Sequence, residues 1–348
     1  MTAIFDGLNV QQRKAVEAKD GPTLVIAGPG SGKTRVLISR VAYLLETRDV
    51  FPYRIMAVTF TNKAAREMRE RLTRQVGADK AGDLMLGTFH SICARILRRE
   101  AQHANLERNF TIYDTDDQIN VVKAALAELN IDDKKYKPNS IHAAISAAKN
   151  ELITPETYKP DSYFNEIAGR VYGRYNAVLR ANNALDFDDL LMETVLLLQR
   201  SDAVRERMQD RYLHVLVDEF QDTNIAQYTL VRLLSGKHHN LFCVGDPDQC
   251  LPAGTLVSTA HGQVPIERIH SGSQVTAASG HGRATSMAVT CIRRRATNED
   301  LVCVTTRSGR VVRATAGHIF FARLGEHLDA QPVFLLQDAR HGYRIGLS

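Results

Sequence analysis

The stretch Thr23-Leu24-Val25-Ile26-Ala27-Gly28-Pro29-Gly30-Ser31-Gly32-Lys33-Thr34 joins an apolar run to a glycine-rich turn and then to a helical pattern. Leu37, Val41, Leu44 and Leu45 continue that pattern at helical spacing. Strand, glycine-rich loop and helix in this order make a P-loop, with Ala27 where the first glycine is usual. Gly28, Gly30 and Gly32 let backbone N–H groups curl around phosphate oxygens, and the helix N-terminus adds its dipole. Ala27, Gly28, Pro29, Gly30, Ser31 and Gly32 are thus expected to cradle a triphosphate. Lys33 is expected to reach its β and γ phosphates and Thr34 to ligate Mg2+.

Phosphoryl chemistry needs a second group, and Val215-Leu216-Val217-Asp218-Glu219 supplies one. An apolar strand ends there in two carboxylates. Asp218 is expected to hold the metal, through water, and Glu219 to act as general base on the attacking water. By itself such a pair reads as a helix N-terminal cap; beside a P-loop it reads as catalytic.

Further apolar runs occur at Ile55–Thr59, Leu84–Thr88, His214–Val217 and Asn240–Val244, each ending in a polar stretch that carries a motif. Continuous apolar strands between helices predict an α/β fold with a parallel sheet covered on both faces. Ligands then gather at the carboxyl ends of the strands. Between about residues 112 and 185 the strand runs stop. Ile119, Val122, Leu126 and Leu129 mark a helical stripe, with Pro138, Pro155 and Pro160 as later breaks. This predicts a helical insertion, 112–185, inside a domain made of 1–111 and 186–249. Its run Lys134-Lys135-Tyr136-Lys137 reads as a solvated loop before it reads as a nucleic-acid contact.

The net charge of +5 is unevenly spread. Residues 250–348 carry 11 Arg, no Lys and 6 acidic residues, leaving 33 basic against 33 acidic residues in 1–249. Overall basicity therefore says nothing about nucleic acid, and the shift marks a boundary. The five cysteines show no CxxC spacing, which argues against a disulfide framework or a zinc site and fits a reducing cytosol. No run of about 18 apolar residues is present, and the start lacks the pattern of a secretory signal. A cytoplasmic location without membrane contact is expected.

The spaced set of motifs says more than any one. Leu8-Asn9-x-x-Gln12 precedes the P-loop; Thr59-Phe60-Thr61-Asn62-Lys63-Ala64-Ala65 and Gly87-Thr88-Phe89-His90-Ser91 follow. Then come Leu185-Asp186-Phe187-Asp188-Asp189-Leu190, Val217-Asp218-Glu219-Phe220-Gln221-Asp222-Thr223 and Val244-Gly245-Asp246-Pro247-Asp248-Gln249. This order and spacing closely resembles the UvrD/PcrA/Rep superfamily 1 DNA helicases across residues 5–249. The resemblance implies a RecA-like sheet and a 3′ to 5′ translocase driven by ATP and Mg2+, acting on single-stranded DNA or a 3′-tailed duplex. It further implies that Gln12 reads adenine, that Lys33, Thr34 and Arg35 serve the triphosphate, and that Gln249 senses the γ-phosphate. Phe60, Thr61, Asn62, Thr88 and His90 resemble the single-strand contacts. An aromatic such as Phe60 stacks on a base without reading sequence, although alone it would read as a core aromatic.

After Gln249 the family continues as Ser-Ile-Tyr and an aromatic-Arg-Gly run. Here Cys250-Leu251-Pro252-Ala253-Gly254-Thr255 follows. The second RecA-like lobe, whose arginines complete the ATP site, is not found in 1–348, so weak ATP binding and little turnover are expected of this polypeptide alone. Short strands and turns dominate from Cys250 onward. Leu301–Thr306 and Arg310–Thr315 read as a hairpin, and a helix-length pattern returns only at Leu324–Leu336. Cys250-Leu251-x-x-Gly254-Thr255 and Gly309-Arg310-Val311-Val312-x-Ala314-Thr315-x-x-His318 resemble the opening blocks of an intein, implying a mostly β Hint-type domain over 250–348. The Cys250 thiol would attack the Gln249 carbonyl to form a thioester, His318 would protonate the leaving amine, and Thr315 would orient the peptide or stabilise the oxyanion. Taken singly, Cys250 reads as an inert buried thiol and His318 as a satisfied polar group. The family's closing His-Asn block is missing. Two accounts stay open: a half that splices in trans with a second polypeptide carrying the intein C-terminal part and the rest of the helicase, or a truncated gene product. A competing reading is a nucleotide-dependent DNA-binding switch with a passive C-terminal β domain.

Overall fold

The computed structural model describes residues 2–28, 30–245, 256–259, 262–278, 284–289, 301–305, 311–315, 320–322, 331–338 and 342–347. The chain divides into two compact units, Met1–Asp246 and Pro247–Ser348.

In the first unit, helices α1 (Thr2–Phe5) and α2 (Val10–Val16) lead into β1 (Thr23–Ile26) and α3 (Lys33–Glu46). Then follow β2 (Ile55–Thr59), α4 (Asn62–Val76), α5 (Ala78–Asp83), β3 (Met85–Thr88) and α6 (Phe89–Arg99). A short strand β4 (Thr111–Ile112) opens a helical segment of α7 (Thr115–Glu128), α8 (Pro138–Asn150) and α9 (Tyr163–Ala181), and β5 (Ala184–Leu185) closes it. The chain returns through α10 (Phe187–Arg200), α11 (Asp202–Arg211), β6 (His214–Val217), α12 (Ile225–Ser235) and β7 (Leu241–Gly245).

The five long strands form one parallel sheet in the order β1-β7-β6-β2-β3. Every residue of β2 and β6 is buried, as strands covered on both faces must be. The strands fall within one residue of the apolar runs. Leu84 ends α5 as its C-cap instead of starting β3. Asn240 stands just before β7, where its side chain accepts from the Gly21 N–H at 2.8 Å. The core on one face joins Leu37, Val41 and Leu44 of α3 and Met68 and Leu72 of α4 to Ala57, Leu216 and Val244 of the sheet. A fully buried side chain of this size contributes about 1.5–3 kcal/mol.

The helical segment has a core of its own. Val122 and Leu126 of α7, Ile141 and Ile145 of α8, and Val171, Tyr172, Tyr175 and Leu179 of α9 pack together. Its two ends meet where β4 pairs in parallel with β5, Thr111 opposite Ala184. In the lysine run before α8, Lys134, Lys135 and Lys137 are exposed while Tyr136 is buried in this core.

A buried ionic knot fastens the helices to the rest of the unit. The Lys149 ammonium, fully enclosed at the end of α8, lies 2.6 Å from Asp186 and 2.7 Å from Asp189. Those two aspartates are also the capping box of α10, and the Tyr175 hydroxyl donates to Asp186 at 2.8 Å. Burial alone would lower the Lys149 pKa, but Asp189 and Asp186 outweigh it and raise it. Burial pushes Asp189 up to about 6.

The second unit is built of antiparallel strands. β8 (Leu256–Thr259), β9 (Gly262–Pro265), β10 (Gln274–Ala278) and β11 (Ala284–Ala288) form a sheet ordered β11-β10-β8-β9. β12 (Leu301–Thr305) pairs with β13 (Val311–Thr315), as the hairpin pattern predicts. β14 (Phe320–Ala322), β15 (Gln331–Asp338) and β16 (Gly342–Leu347) make a third sheet. The helical pattern expected at Leu324–Leu336 is corrected here, because Gln331–Asp338 is a strand. Its run Val333-Phe334-Leu335-Leu336 is apolar on every residue, and periodicity cannot separate a strand from a helix there. Among the described residues no helix is long and apolar enough to cross a membrane.

Candidate functional site

The motifs of the first unit collect at the carboxyl ends of its parallel strands. The glycine-rich loop follows β1, Asp218 follows β6, Phe60 to Asn62 follow β2 and Thr88 to His90 straddle the end of β3. The Ala27 N–H donates to the Gly245 carbonyl at 3.1 Å, and the Asp218 N–H to the Val58 carbonyl at 3.0 Å. Loop and carboxylate are therefore each anchored on the strand beside their own, β7 and β2, which flank β6.

Within the loop, Gly30 and Gly32 have φ of 74° and 83°, a left-handed backbone that a side chain would strain. Gly32 is the N-cap of α3 and supplies no side-chain cap, which leaves the first N–H groups of that helix for an anion. Lys33 is only 8% exposed as a residue, and its ammonium donates to the Ala27 carbonyl at 2.9 Å and the Gly28 carbonyl at 3.3 Å. Its charge is thus held inside the loop. Gln12 shares a capping box with Asn9, and its Nε2 donates to the Ser31 carbonyl at 2.8 Å, which fixes its amide beside the loop. Arg35 is turned elsewhere: its guanidinium donates to the Asp6 carbonyl at 2.7 Å and closes against Gly7. Only its backbone lies on the first turn of α3. Pro29 lies outside the described residues.

The two halves of the site meet where Thr34 Oγ1 donates to Asp218 Oδ2 at 3.2 Å. Asp218 is 3% exposed. Burial, and then the adjacent Glu219, push its carboxyl up to about 6, against the opposing effects of Thr34 and Lys33. Glu219 sits in the left-handed region at φ 50°, its N–H donating to Asp218 Oδ1 at 3.1 Å. Such a backbone costs on the order of 1 kcal/mol and is retained only where its surroundings impose it. Gln221 Nε2 donates to Glu219 Oε2 at 2.8 Å and holds that side chain.

Two hard oxygen donors beside a buried, disfavoured negative charge fit a Mg2+ ion that completes its shell with phosphate oxygens and water. Among the described residues no group of three or more His, Cys, Asp or Glu gathers to hold a metal without such help.

The residues expected to touch DNA share one edge. Thr59 and Thr88 are register partners. The half-buried Phe60 ring stands edge-on to Phe89 at 5.6 Å, and Asn62 is exposed. The Thr61 and Thr88 hydroxyls are engaged as N-caps of α4 and α6. Burial lowers the His90 pKa, with Asp188 pulling the other way. The His90 ring lies edge-on to Phe187 at 5.8 Å. Phe187 is 46% exposed and was not assigned a role from the sequence. Its signal was an aromatic in the first turn of a helix whose flanking residues are all acidic. Gln249, Cys250 and His318 lie outside the described residues, and Thr315 ends β13 opposite Leu301.

Residues 8–251 match the family described as UvrD/REP helicase N-terminal domain. The chain is 50% identical over 253 residues to the ATP-dependent DNA helicase PcrA of Staphylococcus aureus strain Mu50, covering 72% of this chain and 34% of the relative. It is 48% identical over 253 residues to the protein of the same name from Staphylococcus epidermidis strain ATCC 12228, covering 72% and 35%. The chain thus spans about a third of the length of the curated relatives it matches. With the glycine-rich loop, the carboxylate pair and the aromatic edge all falling inside the matched span, the chain belongs to the UvrD/REP helicase family through its N-terminal domain.

Proposed function

We propose that this chain supplies the ATP-binding lobe of an ATP-dependent 3′ to 5′ DNA helicase. The hydrogen bond from Thr34 to Asp218 is the observation that carries this reading, because it joins the phosphate loop to the catalytic carboxylates. Gln12 reads the adenine with its amide. The N–H groups at the start of α3 take phosphate oxygens, and Lys33 exchanges the Ala27 and Gly28 carbonyls for the β and γ phosphates. Thr34 and Asp218 would hold Mg2+, which would neutralise charge developing on the phosphates. Glu219, positioned by Gln221, takes the proton of the attacking water, and Gln249 senses the γ-phosphate. Phe60, Thr61, Asn62, Thr88 and His90, joined by Phe187, form the track for single-stranded DNA.

Binding of an Mg2+-bound non-hydrolysable ATP analogue to the polypeptide 1–348 tests the nucleotide half. Weak binding that falls at least tenfold in Lys33→Ala is expected; equal binding in both proteins rejects the site. DNA-stimulated ATP hydrolysis after adding the remaining helicase domains tests the motor half. Nucleotide binding without DNA-stimulated turnover favours the switch reading.

A second reading concerns the β unit. The family match stops at residue 251, one residue past Cys250, and antiparallel strands follow. We propose that 250–348 is the opening part of an intein with a Hint-type fold. The Cys250 sulfur bonds to the Gln249 carbonyl carbon, the Gln249–Cys250 amide C–N bond breaks, and His318 delivers the proton to the freed amine. Thr315 orients the peptide or stabilises the oxyanion. Dithiothreitol or hydroxylamine should release a 1–249 fragment from the wild type and none from Cys250→Ala. No release from either protein makes the β unit passive.

A further inference from the structure

Asn150 and Asn224 lie outside every motif used above. Asn224 is the N-cap of α12 and follows the segment Asp218-Glu219-Phe220-Gln221-Asp222-Thr223 directly. Its Oδ1 accepts from the Gln227 N–H at 2.9 Å, so its amide nitrogen must point away from α12. That nitrogen donates to Asn150 Oδ1, at the last residue of α8 in the helical insertion. Asn150 is oriented just as firmly. Its own amide nitrogen donates to Asp188 Oδ1 at 3.0 Å and to the Ser146 carbonyl at 2.8 Å, and a carboxylate can only accept.

Both ends of this relay reach functional groups. On one side the chain runs from Glu219, fixed by Gln221, through a single turn to Asn224; the Thr223 hydroxyl donates to the Phe220 carbonyl at 2.7 Å and stiffens that turn. On the other side Asp188 is the second residue of α10. Its predecessor Phe187 meets His90, and Asp188 itself acts on the His90 charge. The neighbouring Lys149, locked between Asp186 and Asp189, keeps the end of α8 from sliding. A movement of the Glu219 segment must therefore either carry Asn150 and the first turn of α10 with it or break a partly buried hydrogen bond.

We infer that Asn150, held between Asn224 and Asp188, is a positioning residue that couples nucleotide at Asp218–Glu219 to DNA at His90–Phe187 through the helical insertion. This rests on the nucleotide and DNA assignments proposed above. Coupling of this kind is reciprocal: DNA changes nucleotide affinity by the same factor as nucleotide changes DNA affinity. A set of contacts qualifies as a route only when breaking it changes that factor.

The test uses the full chain 1–348, an Mg2+-bound non-hydrolysable ATP analogue and an oligo-dT strand. Nucleotide affinity is measured with and without DNA. In the wild type DNA should shift it about fivefold or more, the lower end of common allosteric coupling. Asn224→Ser keeps a neutral helix cap but is too short to donate to Asn150; Asn150→Ala removes the other partner. Each should bring the shift to within about twofold of none, leave DNA-free nucleotide affinity unchanged, and add nothing further when combined, as expected for one shared interaction. A wild type that binds both ligands without coupling, or variants that keep the full shift, overturns the inference and leaves the assignments standing. A wild type that binds neither ligand brings down the assignments and the inference with them.

Discussion

Two pairs of carboxylates in the first unit share a local chemistry and differ in what completes them. Asp186 and Asp189 stand at the start of α10, buried, with the Lys149 ammonium between them. Asp218 and Glu219 stand at the end of β6, the first of them buried, held by the Thr34 hydroxyl, their own backbone and the Gln221 amide, with the Lys33 charge acting on Asp218. Burial pushes both Asp189 and Asp218 up to about 6. At the first pair Lys149 answers that cost, and Asp186 is drawn below the usual carboxylate range because Lys149 overcomes its burial. At the second Thr34 and Lys33 offset burial only in part, and the rest is left for a ligand to bring. A buried acid clamped by an internal cation is part of the scaffold; one whose burial is only partly offset is prepared to receive a cation.

The largest expected difference follows from removing the nearby lysine. Lys149→Met strands two buried carboxylates and should cost about 3–5 kcal/mol of stability, as breaking a buried ion pair does. Lys33→Met removes hydrogen bonds to two carbonyls at the site's edge and should cost about 1 kcal/mol, while nucleotide binding is lost. Denaturant unfolding of the two variants measures both. Equal losses would mean that the two carboxylate pairs do not differ in kind.

The strands and the glycine-rich turn were legible to within a residue because burial on both faces writes a continuous apolar run, and a left-handed turn writes glycine. Asp218 and Glu219 stood out because they follow such a run directly. The Lys149 knot was not legible. Lys149 and Asp186 are 37 residues apart, and nothing local distinguishes a lysine ending an insertion helix from a solvated one. Arg35 was expected at the phosphate by its place in the loop motif, but the Asp6 carbonyl that holds it lies 29 residues away in the chain. Phe187 reads as an ordinary first-turn residue until its neighbours leave it exposed beside His90. The run at Val333–Leu336 misled because its apolar residues have no period to read.

A smaller effect separates the pairs by pH. The Asp218 carboxyl titrates higher in the folded chain than its ordinary 3.8, so the folded state binds a proton that the unfolded state releases. The stability this gives is present below about pH 4 and is lost as pH rises toward about 6. Its size is roughly 2–3 kcal/mol, taking about 1.4 kcal/mol for each pH unit between the two values. Asp189 titrates over the same window, so the Asp218 part is read by difference from Asp218→Asn. That variant should have the flatter profile and should bind the Mg2+–nucleotide more weakly. In the wild type, binding should release a proton near pH 6, because the incoming cation holds Asp218 ionised. Calorimetry in two buffers of different ionisation heat measures that proton. A variant profile as steep as that of the wild type would place the titrating group elsewhere.

The smallest expected effect lies at the aromatic edge, and it is the cleanest to interpret. Phe60 and Phe187 are both expected on the DNA track, yet they are bound to the fold differently. Phe60 is half-buried against Phe89, itself 1% exposed, so Phe60→Ala opens a gap beside the core and should lower stability together with DNA affinity. Phe187 is 46% exposed and touches one half-buried ring, so Phe187→Ala should leave unfolding within about 0.5 kcal/mol of wild type. A stacked base is worth about 1–3 kcal/mol, so oligo-dT binding by Phe187→Ala should weaken about tenfold with nucleotide affinity in the absence of DNA untouched. Loss of the Phe187 ring also uncovers His90, whose pKa should move back toward its ordinary value as burial is relieved. Histidine titration by NMR therefore gives a second readout that does not depend on DNA. Unchanged oligo-dT affinity together with a shifted His90 titration would leave Phe187 as a cover for the histidine and remove it from the track.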